Sequence, residues 1–187
     1  MSNVSKVLEQ LSQMQSGEHS ILICPDLISL RKIYSHCSKI WIEEKNEIVL
    51  LLLANHESVM SIINYLKEID FDVKKYRKSE SLIMISTEKF FGSPGAFLSF
   101  LDIIEKQVKR KSKNGISIIS DMGSLNHLSN IKEIIDCEIF VTRTSDIKPA
   151  SLLCGYNVRD FNMLTEDQKE ILFEQHHRKL IAKDVSC

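Results

Sequence analysis

The residues best suited to chemistry lie between Ser151 and His177, in SLLCGYNVRDFNMLTEDQKEILFEQHH, where a thiol, a phenol, an amide and two adjacent imidazoles share one short stretch. Ser151 to Cys154 read as an apolar strand, so Cys154, Tyr156 and Asn157 are expected where that strand surfaces. Thr165 is placed to cap a following helix, with Glu166 and Asp167 in its first turn and His176, His177 and Arg178 at its far end. Strand ends of this kind are the usual ligand sites of α/β folds. A cysteine paired with His177 or His19 could work as an activated thiolate. No complete catalytic motif accompanies it: the chain has no G-x-S-x-G elbow, no H-E-x-x-H pair and no clustered metal-ligand spacing. Neighbouring histidines on a helix point about 100° apart, so His176 and His177 cannot readily chelate one ion together. A metal held by His19, Cys154 and His177 has no spacing behind it, and none is assigned. Each residue also has an ordinary reading, His19 as a backbone-bonded histidine, Cys154 as a small buried hydrophobe and Tyr156 as a packed ring.

The elements that must position these groups follow from the hydrophobic pattern. Val4, Leu8, Leu11 and Met14 have helical spacing, which predicts an amphipathic helix packed on the domain over residues 1–16. His19 to Cys24 form a compact strand, and Asp26 can cap a helix through Lys45. Glu47 to Ala54 is the continuous apolar run of a central parallel strand. A helix is expected over Asn55 to Asp70, a short strand over Phe71 to Lys75, and a buried strand over Ser81 to Ser86. After the break at Gly92 to Gly95 comes a helix with a basic end, Lys109 to Lys113, which suits the helix dipole better than nucleic acid. Gly115 to Asp121 is a further central strand. The helix beyond it carries Leu128, Ile131, Ile134 and Ile135 inward, while Glu138 to Val141 fits helix or strand. Lys179 to Ala182 make an edge strand before a loose tail at 183–187. This alternation predicts an α/β three-layer sandwich with a mostly parallel sheet, as a single domain over 17–182.

Cys154, Tyr156, Asn157 and Phe161, with His177 and the amino-terminal GEHSILIC containing Gly17 and His19, resemble the MEDS domain, the sensory domain named for methanogens, methylotrophs and the DcmR regulator. The similarity spans roughly Gly17 to Ile181. Asn157 stands where that family usually has an acid, and Arg178 where it often has proline. The resemblance implies a RecA/KaiC-like fold that has lost nucleotide hydrolysis. The strand ending in Asp121 is similar to a Walker B strand, whose acid holds magnesium near phosphate. The matching phosphate loop is absent, since the chain reads PDLISLRK after Cys24. Asp121 has an equal claim as a plain strand-end acid.

The bulk properties exclude several classes. The 24 basic and 25 acidic side chains nearly cancel, which gives no global attraction to nucleic acid or anionic membrane. No apolar run is long enough to cross a bilayer and no signal peptide is evident, so a cytoplasmic location is expected. Five cysteines without a C-x-x-C pair argue against a disulfide framework. The reading is therefore a non-enzymatic sensory domain without a cofactor. As the resemblance implies, it binds a small, apolar or hydrocarbon-derived ligand and signals through a protein partner or by self-association as a homo-oligomer. The expected ligand site is His19, Cys154, Tyr156, His177 and Asp121, with Glu88 and Arg143 secondary. The alternatives are a degenerate ATPase-like regulatory or assembly subunit and a thiol-dependent enzyme.

Overall fold

A computed structural model describes residues 3–53, 57–86, 94–123, 135, 136, 138–140, 142 and 150–182. Its centre is a six-stranded sheet in which every pairing is parallel, in the order β3-β2-β4-β5-β1-β6. The strands are β1 (His19–Cys24), β2 (Ile48–Leu53), β3 (Leu82–Ser86), β4 (Ile116–Asp121), β5 (Ala150–Asn157) and β6 (Arg178–Ile181). The helices are α1 (Asn3–Ser12), α2 (Leu27–Glu43), α3 (Val59–Glu68), α4 (Val73–Lys78), α5 (Pro94–Arg110), α6 (Val158–Phe161) and α7 (Glu166–Glu174). Residues 135, 136, 138–140 and 142 are also helical, which resolves the ambiguous stretch at Glu138 in favour of helix.

Because strand side chains alternate, the sheet divides into two faces. Leu22, Cys24, Val49, Leu51, Ile119 and Leu153 pack with the helices from α1 to α3 around Trp41, which is fully buried. On the other face, Ile48, Leu50, Ile116, Ile118 and Leu152 meet Phe97, Leu101 and Ile104 of α5. Further along that face, Ile21, Ile23, Cys154 and Tyr156 meet Ile135, Phe161 and Leu172. Helices on both faces of a parallel sheet are the expected three layers. Among the described residues no helix is long and apolar enough to cross a membrane.

The structure departs from the sequence expectation in three places, two of them explained by capping residues. Ser58 accepts from the Ser61 amide, so α3 begins at Val59 rather than at Asn55, and Val59 is exposed. Asp72 accepts from the Lys75 amide, and the expected strand at Phe71 to Lys75 becomes the helix α4. The strand expected to be buried at Ser81 to Ser86 lies at the sheet edge as β3, with only Leu82 fully buried. Leu128, Ile131 and Ile134 of the helix expected after β4 and the tail at 183–187 lie outside the described residues.

Candidate functional site

Strands β1 and β5 are neighbours in register, with His19 opposite Leu152 and Ile21 opposite Cys154. Alternation then puts His19 of β1 and Cys154 and Tyr156 of β5 on one face, covered by the helical residues 138–140 and 142 and the turn after α7. His19 Nε2 lies 3.1 Å from Cys154 Sγ. Tyr156 donates its hydroxyl to Glu138 Oε1 at 2.6 Å. The other carboxylate oxygen, Oε2, lies 3.5 Å from His19 Nε2 and 3.6 Å from His176 Nε2. The rings of His19 and His176 are 3.9 Å apart between centroids. One donor atom from each of His19, Glu138, Cys154 and His176 falls within 4.8 Å of every other, and all four residues are buried.

The outer partners of the two imidazoles fix their inner nitrogens. His176 Nδ1 is 2.6 Å from the Leu172 carbonyl, which can only accept, so Nδ1 carries a proton. Thr142 Oγ1 donates to the Glu138 carbonyl at 2.9 Å or the Gln175 carbonyl at 3.2 Å. Its single proton thus engaged, it accepts from His19 Nδ1 at 2.9 Å. In the neutral tautomers selected this way, both Nε2 atoms are lone pairs aimed at Glu138 Oε2. Neither Glu138 Oε2 nor His176 Nε2 has a hydrogen-bond partner. Burial lowers the His19 pKa, with Glu138 acting in the opposite sense. Burial alone would raise the Glu138 pKa, but His176 and His19, when they carry a proton toward it, outweigh burial and hold the carboxyl well below the usual carboxylate range, so the facing lone pairs belong to the neutral imidazoles only.

Of the five residues expected from sequence, His19, Cys154 and Tyr156 come together, and His177 and Asp121 do not join them. His177 is exposed, and its Nδ1 accepts the His19 backbone amide at 3.0 Å while its own amide donates to the His19 carbonyl at 2.8 Å. It is a latch that starts the pairing of β6 with β1. Asp121 points to the opposite face of the sheet, into a crevice with Leu27, Leu30, Arg31, Tyr34 and Glu57. Cys154 is not at a strand end either: β5 runs on to Asn157, and Cys154 and Tyr156 are 3% and 0% exposed. Asn157 instead caps α6, accepting from the Asp160 amide at 3.0 Å. Glu88 and Arg143 lie outside the described residues.

Sequence reasoning missed Glu138, Thr142 and His176. Glu138 is a lone acid in the run CEIFV, and once the segment is helical its spacing of four from Thr142 puts both on one side. His176 could be separated from His177 only by knowing where α7 ends. The helix closes at Glu174, Gln175 is its C-cap, and the turn that follows sends His176 inward.

The place where a phosphate loop would sit is filled by Asp26, whose Oδ1 accepts from the Ser29 amide at 2.6 Å at the start of α2. An acid there repels phosphate and takes an amide that would otherwise bind it. The adjacent Cys24 thiol is pushed up to about 12 by burial and by Asp26 and Asp121.

The fold is similar to a KaiC-like protein from the hyperthermophilic archaeon Pyrococcus horikoshii OT3, with TM-score 0.65 and 12% identity over 91% of this chain and 74% of that one. It is also similar to the flagellar accessory protein FlaH from Methanocaldococcus jannaschii, with TM-score 0.60 and 12% identity over 93% and 75% of the two chains. At that identity the likeness shows a shared RecA/KaiC-type fold. No curated protein matches the sequence. The family model for the methanogen/methylotroph, DcmR sensory domain matches residues 43–169, which include Glu138, Cys154 and Tyr156 and leave out His19, His176 and His177. The match covers more than half of the 187 residues, and the chain belongs to the MEDS family of sensory domains.

Proposed function

We propose that the chain senses a small molecule at the buried group formed by His19, Glu138, Cys154, Tyr156 and His176, without catalytic turnover, and passes the bound state to a protein partner or a second copy of itself. The single observation that carries this reading is the concentration of polar groups where the fold has no need of them. They are enclosed by Ile21, Ile23, Met122, Ile135, Phe161 and Leu172. Burying a carboxylate costs several kcal/mol even when paired, and an apolar cluster of equal volume is commonly as stable or more so. Polarity kept at that cost fits recognition.

An enclosed site bounded by apolar side chains suits a small ligand with one polar group and a hydrocarbon remainder. The site joins β1, the helical residues Glu138 and Thr142, β5 and the turn into β6, so occupancy bears on the edge strand β6, where Ile181 is exposed. That edge is a natural surface for output.

Two competing functions fit less well. A thiol enzyme would use Cys154 with His19, 3.1 Å away, but no complete catalytic motif accompanies that pair. An ATPase-like regulator draws support from Asp121 at the end of β4, but Asp26 stands against nucleotide phosphate. A thermal-shift panel of short alcohols, amines, thiols and halogenated hydrocarbons, run under reducing conditions, tests the proposal. A compound that raises the melting temperature of the wild type and not of Cys154→Ala supports it. Equal shifts in both proteins for every active compound count against it.

A further inference from the structure

The inner atoms of the site share one property: His19 Nε2, His176 Nε2 and Glu138 Oε2 are all electron-pair donors in the tautomers their outer partners select, and they converge beside Cys154 Sγ. Facing lone pairs in a buried site repel one another unless a cation lies between them. Two of these atoms, Glu138 Oε2 and His176 Nε2, are fully buried without a hydrogen-bond partner. Among the described residues, the Cys154 thiol brings a further proton to the centre, which His19 Nε2 can accept at 3.1 Å.

The four donor atoms lie within 4.8 Å of one another, and three of their six separations can be set against a metal polyhedron. Zinc bonds of about 2.0–2.2 Å to nitrogen and oxygen and about 2.3 Å to sulfur, at tetrahedral angles, set ligand atoms about 3.3–3.6 Å apart. His19 Nε2 to Glu138 Oε2 at 3.5 Å and His176 Nε2 to Glu138 Oε2 at 3.6 Å fall in that range, and His19 Nε2 to Cys154 Sγ at 3.1 Å would lengthen on loading. Supporting contacts of the kind that orient metal ligands are also present. His19 is held through Nδ1 by Thr142, His176 through Nδ1 by the Leu172 carbonyl, and Glu138 through Oε1 by Tyr156. Two imidazoles, a thiolate and a carboxylate suit a borderline divalent ion and disfavour magnesium or calcium, which take oxygen.

We infer that His19, Glu138, Cys154 and His176 form a binding site for one zinc-class divalent metal ion. The inference rests on the proposed sensing site and names what occupies it: a Lewis acid to which a small donor molecule can bind. Loading converts the Cys154 thiol to thiolate, so the sulfur–hydrogen bond is lost, a sulfur–metal bond forms and a proton passes to solvent.

The test uses the full chain, stripped with a chelator under reducing conditions and titrated with cobalt(II) as a spectroscopic stand-in for zinc. The expected result is saturation at one equivalent, with a near-ultraviolet thiolate-to-cobalt band, intense tetrahedral visible bands, proton release and displacement by zinc. Cys154→Ser should abolish the thiolate band. Glu138→Gln and His176→Ala should weaken binding by about 100-fold or more, and Thr142→Val by about 10-fold. His177→Ala should bind as the wild type does. Absence of the thiolate band in the stripped wild type overturns the inference regardless of how any variant folds, as does unchanged affinity in folded Cys154→Ser and Glu138→Gln. If the band is missing while a compound from the thermal-shift panel still stabilises the wild type and not Cys154→Ala, the metal falls and the sensing site stands. If the band forms and that panel shifts both proteins equally, the metal stands and the sensing role falls.

Discussion

Replacing Tyr156 by Phe removes one oxygen and leaves the ring, which sits edge-on to Phe161 with centroids 5.8 Å apart. The lost hydroxyl is the 2.6 Å donor to Glu138 Oε1, and the second oxygen of that carboxylate has no hydrogen-bond partner to compensate. A hydrogen bond to a charged group is worth about 1.5–3 kcal/mol, and the stranded oxygen stays desolvated, so the metal-free protein should lose about 2–3 kcal/mol. For a chain of this size that corresponds to a fall in melting temperature of about 5–10 °C. Urea unfolding in the presence of chelator, followed through the fluorescence of buried Trp41, measures it directly. Adding Glu138→Leu removes the acceptor as well, and the double variant should recover most of the loss, giving a coupling of about 2 kcal/mol between the two positions. A Tyr156→Phe cost below about 0.5 kcal/mol, or purely additive effects, would show that the carboxylate is not held as described.

Other expectations follow from separate parts of the molecule. A Cβ on Gly155 would collide with the Tyr34 hydroxyl and come within 2.8 Å of Leu30 Cδ1, so Gly155→Ala should cost about 1–3 kcal/mol by chemical denaturation, and Tyr34→Phe in the same background should restore part of it. Burial raises the Glu47 pKa, which means the folded state binds a proton more tightly than the unfolded chain. The contribution of Glu47 to stability therefore declines as pH rises from the ordinary carboxylate value through the raised one, and a stability–pH profile of Glu47→Gln should lack that decline. With Asp26 at the start of α2, calorimetric titration should detect no micromolar binding of magnesium-ATP. Binding that disappears in Asp121→Asn would reverse that conclusion.

Much of the fold was legible because its strands are continuous apolar runs bounded by caps and breaks. His19 to Cys24 and Ile116 to Asp121 could be placed almost to the residue on that basis. Where local pattern and capping chemistry compete, the cap prevails, as Asp72 shows by turning Phe71 to Lys75 from an expected strand into a helix start. Burial at the sheet edge was not legible, since SLIMIS reads the same whether one neighbour or two will cover it.

Of the site, the family pattern selected His19, Cys154 and Tyr156, while the strand end expected at Cys154 lies further on, since β5 continues to Asn157. Sequence reasoning failed where the answer depended on phase. A helix ending at Glu174 turns His176 inward and leaves His177 as a backbone latch, and nothing in the dipeptide distinguishes the two. Asp121 ends its strand as expected, but alternation from Ile119 sends it to the α2 face, away from the cluster.

The contrast between those two histidines gives the most direct test of the buried sensing site. Native mass spectrometry of the wild type, His176→Ala and His177→Ala, each purified under reducing conditions without chelator, compares the mass of the folded chain with that of its denatured form. A bound species present in the wild type and His177→Ala and absent from folded His176→Ala is the predicted result. A wild-type chain at its bare mass, or a bound species retained in His176→Ala and lost from His177→Ala, would contradict it.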